Sequence, residues 1–401
     1  MEQNTIQPLI DAFRLKLART SLKFKRYLYA QINWDVRLIG IKGARGVGKT
    51  TLLLQHIKES FPKYGHALYV SLDNLWFKTH TMEELAEYAH QHGITHLFLD
   101  EVHKYPDWSV TIKNLYDLYD DLNIVYTGSS MLEIDHSKTD LSRRQTLYTL
   151  YGMSFREYLE FEGITAMQAV ELKDLLTNHE EIASNLSVKA KVMQHFAHYL
   201  RDGYYPFYKD AGKDYLMRLQ EVANLIIETD LPAVEDVSYG TIQKTKTLLM
   251  IIAQSLPLVP NVNKLGAQLE TGRDLCLKML YALDRAGLIL LLTEKIKDYK
   301  HLISPEKIFL NNTNLMNALS LQSEIGTIRE TFFANQLSAV AEITMPKEGD
   351  FMVNDTYLFE VGGKGKTFRQ IAGIPNSYLA IDDTEIGYEN RIPLWMFGLL
   401  Y

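Results

Sequence analysis

The stretch from Gly43 to Thr50 combines the residue types and spacing of a phosphate-binding loop. It fits the pattern G-x-x-x-x-G-K-[ST], after a strand-like run at 36–41 and before a helix-like run at 51–57. Glycines permit positive φ angles, so successive backbone N–H groups can converge on an anion. The helix N-terminus adds the positive end of its dipole. The pattern predicts that the following residues bind the phosphates of a nucleotide: Gly43, Ala44, Arg45, Gly46, Val47, Gly48, Lys49, Thr50 and Thr51.

The last two residues of the motif have separate expected roles. We expect the ammonium of Lys49 to reach the β- and γ-phosphates, where it would also act in catalysis. We expect the hydroxyl of Thr50 to join the coordination shell of Mg²⁺. The predicted ligands are therefore a nucleoside triphosphate, ATP, and Mg²⁺.

An apolar run at 96–100 ends in two adjacent carboxylates, Asp100 and Glu101. In an α/β sheet, the carboxyl ends of the strands face the ligand crevice. We expect Asp100 to hold Mg²⁺ beside Thr50, and Glu101 to polarise the water that attacks the γ-phosphate. Taken alone, such a pair is also typical of a solvated turn. Its place after the phosphate loop favours the catalytic interpretation.

The strand-like run at 123–128 leads into small hydroxyl residues. A polar side chain at this strand end would contact the γ-phosphate or the attacking water. Ser129 is the first candidate, and Thr127 and Ser130 are the alternatives. A hydroxyl-capped turn without a catalytic role explains the same pattern.

A basic segment follows at 141–145, with Arg143 and Arg144 side by side. The planar guanidinium group can bind phosphate in a bidentate manner and neutralise charge that develops in a transition state. The pattern makes Arg144 a candidate catalytic residue. A solvated basic turn is the alternative.

Strand-like and helix-like patterns alternate around these motifs. Strands are predicted at 36–41, 66–72, 96–100 and 123–128, and helices at 51–60, 81–93 and 108–120. Thr81 and Glu84 have the spacing of a capping box at the start of one helix. The alternation predicts an α/β fold with a parallel sheet and helices on both faces.

The remaining chain divides into patterns of a different kind. Residues 1–31 have the periodicity of an amphipathic helix, and residues 155–225 are mainly helical. Two helix-like runs and a strand between 262 and 292 suggest a winged helix-turn-helix. The last hundred residues return to mixed α and β, with a clear strand at 357–361.

Composition narrows the class of protein. At 401 residues, the chain is long enough for about two to four domains. It has no apolar run of the length that spans a membrane and no secretory signal pattern, so we expect a cytoplasmic protein with no membrane partner. Cys276 alone excludes an intramolecular disulfide and a multi-cysteine zinc site. The net charge of −7 argues against a strongly basic nucleic-acid-binding chain, but a local basic patch remains compatible with it.

Taken together, these motifs resemble one bacterial and archaeal ATPase group of the AAA+ superfamily. The resemblance rests on the phosphate loop, on the segments 97–101 and 127–130, and on the run from Arg144 to Glu157, and it is most specific over 35–160. Members of the group often carry a C-terminal domain of unknown function with a restriction-endonuclease-like core. Arg144 aligns with the group's arginine, which makes it the preferred arginine finger. Arg143 stands where the group has a small residue.

The resemblance and the patterns predict five segments in chain order. They are an N-terminal helix at 1–31, a P-loop ATPase domain at 32–155, a helical region at 156–235, a winged-helix-like domain at 236–300 and a nuclease-like α+β domain at 301–401.

A second metal site is implied by the nuclease-like relatives. They place a Glu on a helix, an Asp after a strand and E-x-K on the next strand, and Glu330, Asp350 and Glu360 match these carboxylates. The lysine position of E-x-K is occupied by Gly362, so Lys364 would have to reach in from the following turn. Both an active nuclease and a degenerate binding or structural domain fit this sequence.

The leading hypothesis is an ATPase that uses Mg²⁺ and drives a conformational switch in its attached domains. The first alternative is a nucleic-acid-binding ATPase whose winged helix contacts phosphates through Arg273, Lys278 and Arg285. The second is a Mg²⁺-dependent nuclease in the C-terminal domain. The sequence identifies neither a DNA nor a protein partner. It also leaves open the oligomeric state and whether the arginine finger acts within one chain or between two.

Overall fold

The computed structural model describes residues 3–61, 65–129, 141, 143–234, 237–255, 259–293, 304–320 and 323–401. The chain forms two compact units. The first consists of residues 1–151 and 229–236, and the second of residues 152–228 and 237–401. The predicted candidate Ser130 and the basic-turn residue Ser142 lie outside the described residues. The finer division into five segments stays a prediction.

A parallel five-stranded sheet forms the centre of the first unit, with the strand order β2-β3-β4-β1-β5. Four of its five strands are mostly buried, as expected for a sheet that is covered on both faces. In chain order the elements are α1 (Gln3–Arg19), α2 (Leu28–Gln31), β1 (Leu38–Lys42), α3 (Lys49–Ser60), β2 (Ala67–Ser71), α4 (Met82–Gln91), β3 (His96–Asp100), α5 (Trp108–Leu118), β4 (Asn123–Gly128) and β5 (Thr146–Thr149).

The α/β pattern predicted this sheet well, with one strand missing. Strands β3 and β4 have the predicted bounds, and β1 and β2 differ by one or two residues. The predicted capping box of α4 is present, because Thr81 and Glu84 exchange side-chain-to-backbone hydrogen bonds. Strand β5 was not predicted. It is a short edge strand with four half-buried residues, so it has neither an apolar run nor a clear alternation.

The N-terminal helix is shorter than predicted. The sequence pattern indicated one helix over 1–31, but α1 ends at Arg19 and α2 covers only Leu28–Gln31. Two side chains of α3 stabilise the non-helical backbone between them. The Gln55 amide donates to the carbonyls of Ser21 and Phe24, at 2.8 and 2.7 Å, and Lys58 binds the carbonyl of Thr20 at 2.7 Å. These long-range hydrogen bonds override the local helical periodicity.

The second unit begins with helices and ends with a mixed sheet. Helices α13 and α14 and the antiparallel pair β6–β7 match the predicted helix–helix–strand order, while the winged-helix assignment stays a prediction. In chain order the elements are α6 (Phe155–Phe161), α7 (Leu172–Ser187), α8 (Val192–Asp202), α9 (Tyr208–Ala211), α10 (Tyr215–Leu225), α11 (Leu231–Val234, in the first unit), α12 (Tyr239–Gln254), α13 (Val262–Gln268), α14 (Arg273–Arg285), β6 (Ile289–Leu292), β7 (Lys307–Leu310), α15 (Thr313–Leu319), α16 (Ile325–Ser338), β8 (Ile343–Thr344), β9 (Phe351–Val353), β10 (Tyr357–Gly362), β11 (Ser377–Ile381) and β12 (Arg391–Pro393).

One hydrophobic core joins the helices and the C-terminal sheet of the second unit. It includes Phe155 of α6, Phe196 of α8, Phe333 of α16 and Trp395 after β12, all of them fully or almost fully buried. The sheet has the order β12-β11-β10-β9-β8, with β10 parallel to β11 and antiparallel to β9. The predicted strand at 357–361 is therefore central in this sheet. Among the described residues, no helix has the length and apolar character that crossing a membrane requires.

Candidate nucleotide-binding site

The predicted phosphate loop connects the end of β1 with the start of α3. Gly46 and Gly48 have φ angles of 87° and 100°, in the region that favours glycine. Gly48 is the residue that precedes the first turn of α3. Gly43 lies so close to the Leu150 carbonyl oxygen that a Cβ atom would collide with it. The glycines are thus needed for the local backbone path, which opens at a helix N-terminus.

Lys49 folds back over this loop. Its Nζ donates to the carbonyl oxygens of Gly43 at 2.8 Å and Ala44 at 3.1 Å. Burial lowers the pKa of Lys49, while the nearby carboxylates of Glu101 and Asp100 act in the opposite direction. Because its hydrogen-bond acceptors are neutral carbonyls, the ammonium keeps a charge that an incoming phosphate can use.

Asp100, at the end of β3, accepts hydrogen bonds from three hydroxyl groups. Its Oδ2 accepts from Thr50 Oγ1 at 2.6 Å and from the Tyr69 hydroxyl at 2.7 Å, and its Oδ1 accepts from Thr127 Oγ1. Asp100 is only 2% exposed. Burial raises the pKa of the Tyr69 hydroxyl, as does its proximity to Asp100. The structure therefore brings together Thr50 and Asp100, the two residues predicted to hold Mg²⁺.

The donor set at this point fits Mg²⁺. A threonine hydroxyl and a carboxylate supply hard oxygen ligands, and Mg²⁺ commonly takes few protein ligands and completes its shell with water and phosphate oxygens. Among the described residues, no group of three or more His, Cys, Asp or Glu side chains is arranged to hold a metal ion. A site with one carboxylate and one hydroxyl supplies the few protein ligands that Mg²⁺ takes, and it does not require a group of three such side chains.

Glu101 has a different setting from its neighbour. Its φ of 56° places a non-glycine residue in the left-handed region, and its backbone N–H donates to Thr127 Oγ1 at 3.3 Å. Its side chain is 21% exposed, and Oε2 lies 3.4 Å from Nε2 of His103. The unusual backbone turns Glu101 away from the strand direction, so the two adjacent carboxylates have distinct surroundings.

Thr127, one of the hydroxyl candidates near the end of β4, contacts both predicted carboxylate residues. It is fully buried and joins the carboxylate of Asp100 to the backbone of Glu101. Ser129 is also buried, and its backbone N–H donates to Nδ1 of His103 at 3.4 Å. The sequence pattern favoured Ser129, with Thr127 and Ser130 as the alternatives. The catalytic role of Ser129 stays a prediction, while the structure draws attention to Thr127.

Arg144 lies before β5 and binds Asp117 of α5. Its Nε and Nη2 are 2.8 and 3.1 Å from the two carboxylate oxygens. Strand β5 runs parallel to β1, so Arg144 is at the edge of the sheet where these strands begin, whereas the phosphate loop follows the end of β1. A role for Arg144 at the phosphate loop of its own chain would require this segment to move. Its role as a finger stays a prediction.

Two features of the site were missed because long-range contacts create them. The guanidinium of Arg26, on the segment between α1 and α2, donates to the carbonyls of Val47 in the loop and Tyr151. Asp230, far along the chain, forms a cluster with Arg45, His103 and Lys104. The sequence offered no local spacing for either feature.

The C-terminal carboxylates lie around the central strand of the second sheet. Glu360 is in β10, the backbone N–H of Val361 donates to Asp350 at 2.8 Å, and Glu330 is on α16. Two lysines pair with them. Lys366 Nζ is 2.6 Å from Glu360 Oε1, and Lys307 Nζ is 2.5 Å from Glu330 Oε2. The structure thus gives Lys366, rather than the predicted Lys364, as the lysine paired with Glu360.

Among the basic residues of the predicted winged helix, Arg273 has local partners. Arg273 donates to Ser304 Oγ at 2.9 Å, and it lies 3.9 Å from Asp274. Lys278 and Arg285 are on the same helix, α14. Contacts of this helix with nucleic acid stay a prediction.

Comparison with known proteins bears on the first unit. Residues 35–159 match the family model described as AAA domain. This region resembles AAA domains. A protein of Methanocaldococcus jannaschii, described as uncharacterized, is 29% identical over 267 residues, which are 63% of this chain and 56% of that protein. The chain therefore spans little more than half the length of the curated relative it matches. The AAA match supports the predicted superfamily, and the endonuclease-like assignment of the C-terminal region stays a prediction.

Two solved structures show a weaker likeness. DnaA from Aquifex aeolicus bound to AMPPCP is 13% identical, with a TM-score of 0.28, over 71% of this chain and 89% of that one. A replication initiator DnaA bound to AMPPCP and single-stranded DNA is 12% identical, with a TM-score of 0.27, over 70% of this chain and 88% of that one. TM-scores this low do not establish a shared fold.

Proposed function

We propose that the first unit binds ATP with Mg²⁺ and hydrolyses it to ADP and phosphate. The observation that carries this proposal is the hydrogen bond between Thr50 of the loop and Asp100 at the end of β3, beside Lys49. It joins a phosphate-binding loop to a carboxylate at the edge where ligands of α/β sheets bind. The AAA match over residues 35–159 supports the same conclusion.

Binding uses groups that the loop already presents. The backbone N–H groups of the loop and the N-terminus of α3 would hold the phosphates, and Lys49 would exchange the carbonyls of Gly43 and Ala44 for phosphate oxygens. Thr50 and Asp100 would hold Mg²⁺, which neutralises charge on the phosphates when bound. The hydroxyls of Tyr69 and Thr127 fix the orientation of the Asp100 carboxylate.

Hydrolysis requires a group that orients and polarises water. Glu101 is the proposed group, because it directly follows the metal-holding carboxylate and is less buried than Asp100. Thr127 and His103 would position it, the first through its backbone and the second through its carboxylate. Ser129 would contact the γ-phosphate or the water. Arg144 would supply positive charge as the arginine finger.

The proposal also includes a switch driven by the nucleotide. Residues 229–236 belong to the first unit, while the chain directly before and after them belongs to the second. A change at the nucleotide site that moves this segment would therefore pull on both of its connections. Through these two connections, ATP binding and hydrolysis would act on the second unit.

Replacement of Lys49 tests the proposal. We expect Lys49→Ala to weaken ATP binding roughly a hundredfold or more and to abolish turnover, because it removes a charge-assisted contact with the phosphates. Binding is measured by isothermal titration calorimetry with Mg²⁺, and turnover by phosphate release. Lys25→Ala, which removes a lysine of an exposed ion pair in the same unit, is the matched control. Equal ATP binding by Lys49→Ala and the parent would refute the assignment.

The nuclease alternative receives no such support. Among the described residues no set of three His, Cys, Asp or Glu side chains is arranged to hold a metal ion, and Glu330 and Glu360 each pair with a lysine. The donor set does not fit the second Mg²⁺ site implied by the resemblance. We therefore propose no cleavage step for the C-terminal domain.

A further inference from the structure

Three basic side chains converge on one oxygen of Asp230. Lys104 Nζ lies 2.8 Å, Arg45 Nη1 3.3 Å and His103 Nε2 3.5 Å from Oδ1. The Asp230 side chain is only 3% exposed. One carboxylate thus serves two permanent cations and an imidazole, which is more positive charge than it can neutralise. We call these four residues the Asp230 cluster.

The cluster belongs to the nucleotide site. Arg45 is part of the phosphate loop, and His103 and Lys104 follow Glu101 in a short 3₁₀ turn, Val102–Lys104. The electrostatic influence of Asp230 extends to Lys49. A carboxylate is therefore held within the field of the cations that would bind phosphate.

His103 fixes the geometry of this side of the site. Its Nδ1 accepts from the backbone N–H of Ser129, so the hydrogen of the neutral ring is on Nε2. Nε2 points toward Glu101 and Asp230, at 3.4 and 3.5 Å, but among the described residues it has no well-aligned hydrogen bond. The ring thus lies between two carboxylates, and it links the Asp230 cluster to Glu101.

The segment that delivers Asp230 has an unusual backbone. Residues Ile226–Asp230 form a π-helix, and Leu231–Val234 follow directly as α11. Single π-helical turns are rare and occur frequently at functional sites. Only a short stretch, residues 229–236, belongs to the first unit. The local structure therefore places Asp230 in the cluster through a short and irregular connection.

We propose that Lys104 is a phosphate-binding residue and that Asp230 is an internal anion that holds it until the terminal phosphate of ATP displaces the carboxylate. The inference rests on the proposed function and adds a residue and a trigger to it. A triphosphate offers more charge and more acceptor oxygens than one carboxylate, so Lys104 and Arg45 gain by exchanging partners. Release of Asp230 frees residues 229–236 from their contact with the site.

Binding measurements with ATP, ADP and AMP test the role of Lys104 in the full chain. We expect Lys104→Gln to weaken ATP binding about tenfold, ADP binding less and AMP binding hardly at all, because the lysine reaches only the terminal phosphate. We expect Asp230→Asn to tighten ATP binding by roughly three- to tenfold, because the internal competitor loses its charge. Lys25→Gln is the matched control, since Lys25 pairs with the exposed Glu59 in the same unit at 2.6 Å.

The outcomes separate this inference from the proposed function. If the parent does not bind ATP, or binds it equally well after Lys49→Ala, the proposed function fails. If Lys49→Ala abolishes binding but Lys104→Gln leaves the ratio of ATP to ADP affinity unchanged, only the role of Lys104 is wrong. Thermal unfolding of each variant verifies that it folds. If Asp230→Asn does not fold, the ratio of ATP to ADP affinity measured for Lys104→Gln still tests the role of Lys104.

Hydrogen exchange of the parent tests the displacement directly. Backbone amides of residues 229–234 should exchange faster with Mg²⁺ and a slowly hydrolysed ATP analogue than with Mg²⁺ and ADP, because Asp230 has left the cluster. Equal or slower exchange with the ATP analogue would overturn the displacement step.

Discussion

The nucleotide site and the C-terminal carboxylates both combine lysines with acidic groups, but they pair them differently. Lys49 binds two neutral carbonyls of its own loop, whereas Lys366 and Lys307 bind the carboxylates of Glu360 and Glu330. A lysine on neutral acceptors keeps a charge that an anionic ligand can use. A lysine paired with a carboxylate has already lost most of that capacity.

Two buried carboxylates show the same contrast. Asp100 accepts hydrogen bonds from three hydroxyl groups, which orient it but add no charge. Glu360 is fully buried beside Lys366, and among the described residues neither of its oxygens has a well-aligned hydrogen bond. Asp100 therefore keeps a negative charge available to a cation, while the charge of Glu360 is neutralised within the protein. We infer that the first arrangement serves a ligand and the second serves the fold.

The largest effect is expected from Glu101→Gln. The substitution removes the carboxylate that polarises water but keeps its size, so turnover should fall roughly a thousandfold while ATP binding persists. Steady-state phosphate release and calorimetric ATP binding measure the two quantities separately.

Glu360→Gln is the matched change in the other region, and it should leave turnover within about twofold of the parent, provided that the variant folds. If Glu101→Gln retains parental turnover, or if Glu360→Gln lowers turnover as strongly while circular dichroism shows a folded chain, the contrast between the two regions is wrong.

The second effect concerns stability. Lys366→Met leaves the carboxylate of Glu360 buried without its counter-charge, and we expect a loss of about 2 kcal/mol in the free energy of unfolding of the second unit, allowing for the partial exposure of Lys366. Adding Glu360→Met should restore most of this loss, because no buried charge remains. Urea titrations followed by tryptophan fluorescence and circular dichroism give both values.

The exposed pair of Lys25 and Glu59 supplies the control for this experiment. Lys25→Met should leave the free energy of unfolding nearly unchanged, since solvent screens the pair. A double variant no more stable than Lys366→Met alone would show that lost packing, not an unpaired charge, explains the result.

The contrast also explains what the sequence could and could not predict. The phosphate loop is contiguous, and its strand and helix lie at fixed distances from it, so local spacing was enough to predict Lys49 and Thr50 as site residues. Asp100 was found in the same way, because a parallel strand that ends in a carboxylate has a defined place in an α/β sheet. Local sequence patterns can predict such residues, because the position of each residue follows from the strand or helix to which it belongs.

Other parts depend on contacts between distant residues. Asp230 meets Arg45 and Lys104 across more than a hundred residues, and no spacing rule connects them. Lys366 reaches Glu360 from the turn after β10, where the sequence pattern pointed to Lys364. The edge strand β5 lacked an apolar run, and the helix over 1–31 was interrupted by hydrogen bonds from Gln55 and Lys58. In each case contacts between residues far apart in the chain determine the local structure, and a single sequence does not reveal such contacts.

A smaller effect is expected from loss of the Thr127 hydroxyl in the nucleotide site. Thr127→Val removes the hydroxyl that joins Asp100 to the backbone of Glu101, and turnover should fall about tenfold with little change in ATP affinity. Thr127→Ser retains the hydroxyl and should restore most of the activity. Equal losses in both variants would mean that the methyl group, not the hydrogen bonds, is what the site requires.

The smallest effect is a pH dependence of opposite sign in the two regions. Burial raises the pKa of Asp230, but His103 and Lys104 lower it more, to about 2. Burial raises the pKa of Glu330, and Lys307 only partly offsets this. The ionised form is thus favoured at Asp230 and disfavoured at Glu330.

The two carboxyls should therefore contribute to stability in opposite pH ranges. Asp230 stabilises the fold above its unfolded pKa of about 3.9, and this contribution of about 1 kcal/mol is lost as the pH falls toward 2. Glu330 contributes most below its unfolded pKa of about 4.3, and its contribution is lost as the pH rises through the higher folded value. Urea midpoints between about pH 3 and pH 7 measure both, with Asp230→Asn and Glu330→Gln compared with the parent. The parent's advantage over Asp230→Asn should grow with rising pH, and its advantage over Glu330→Gln should shrink. Slopes of the same sign would mean that the two carboxyls have the same electrostatic setting, and that the distinction between a ligand site and a neutralised cluster does not hold.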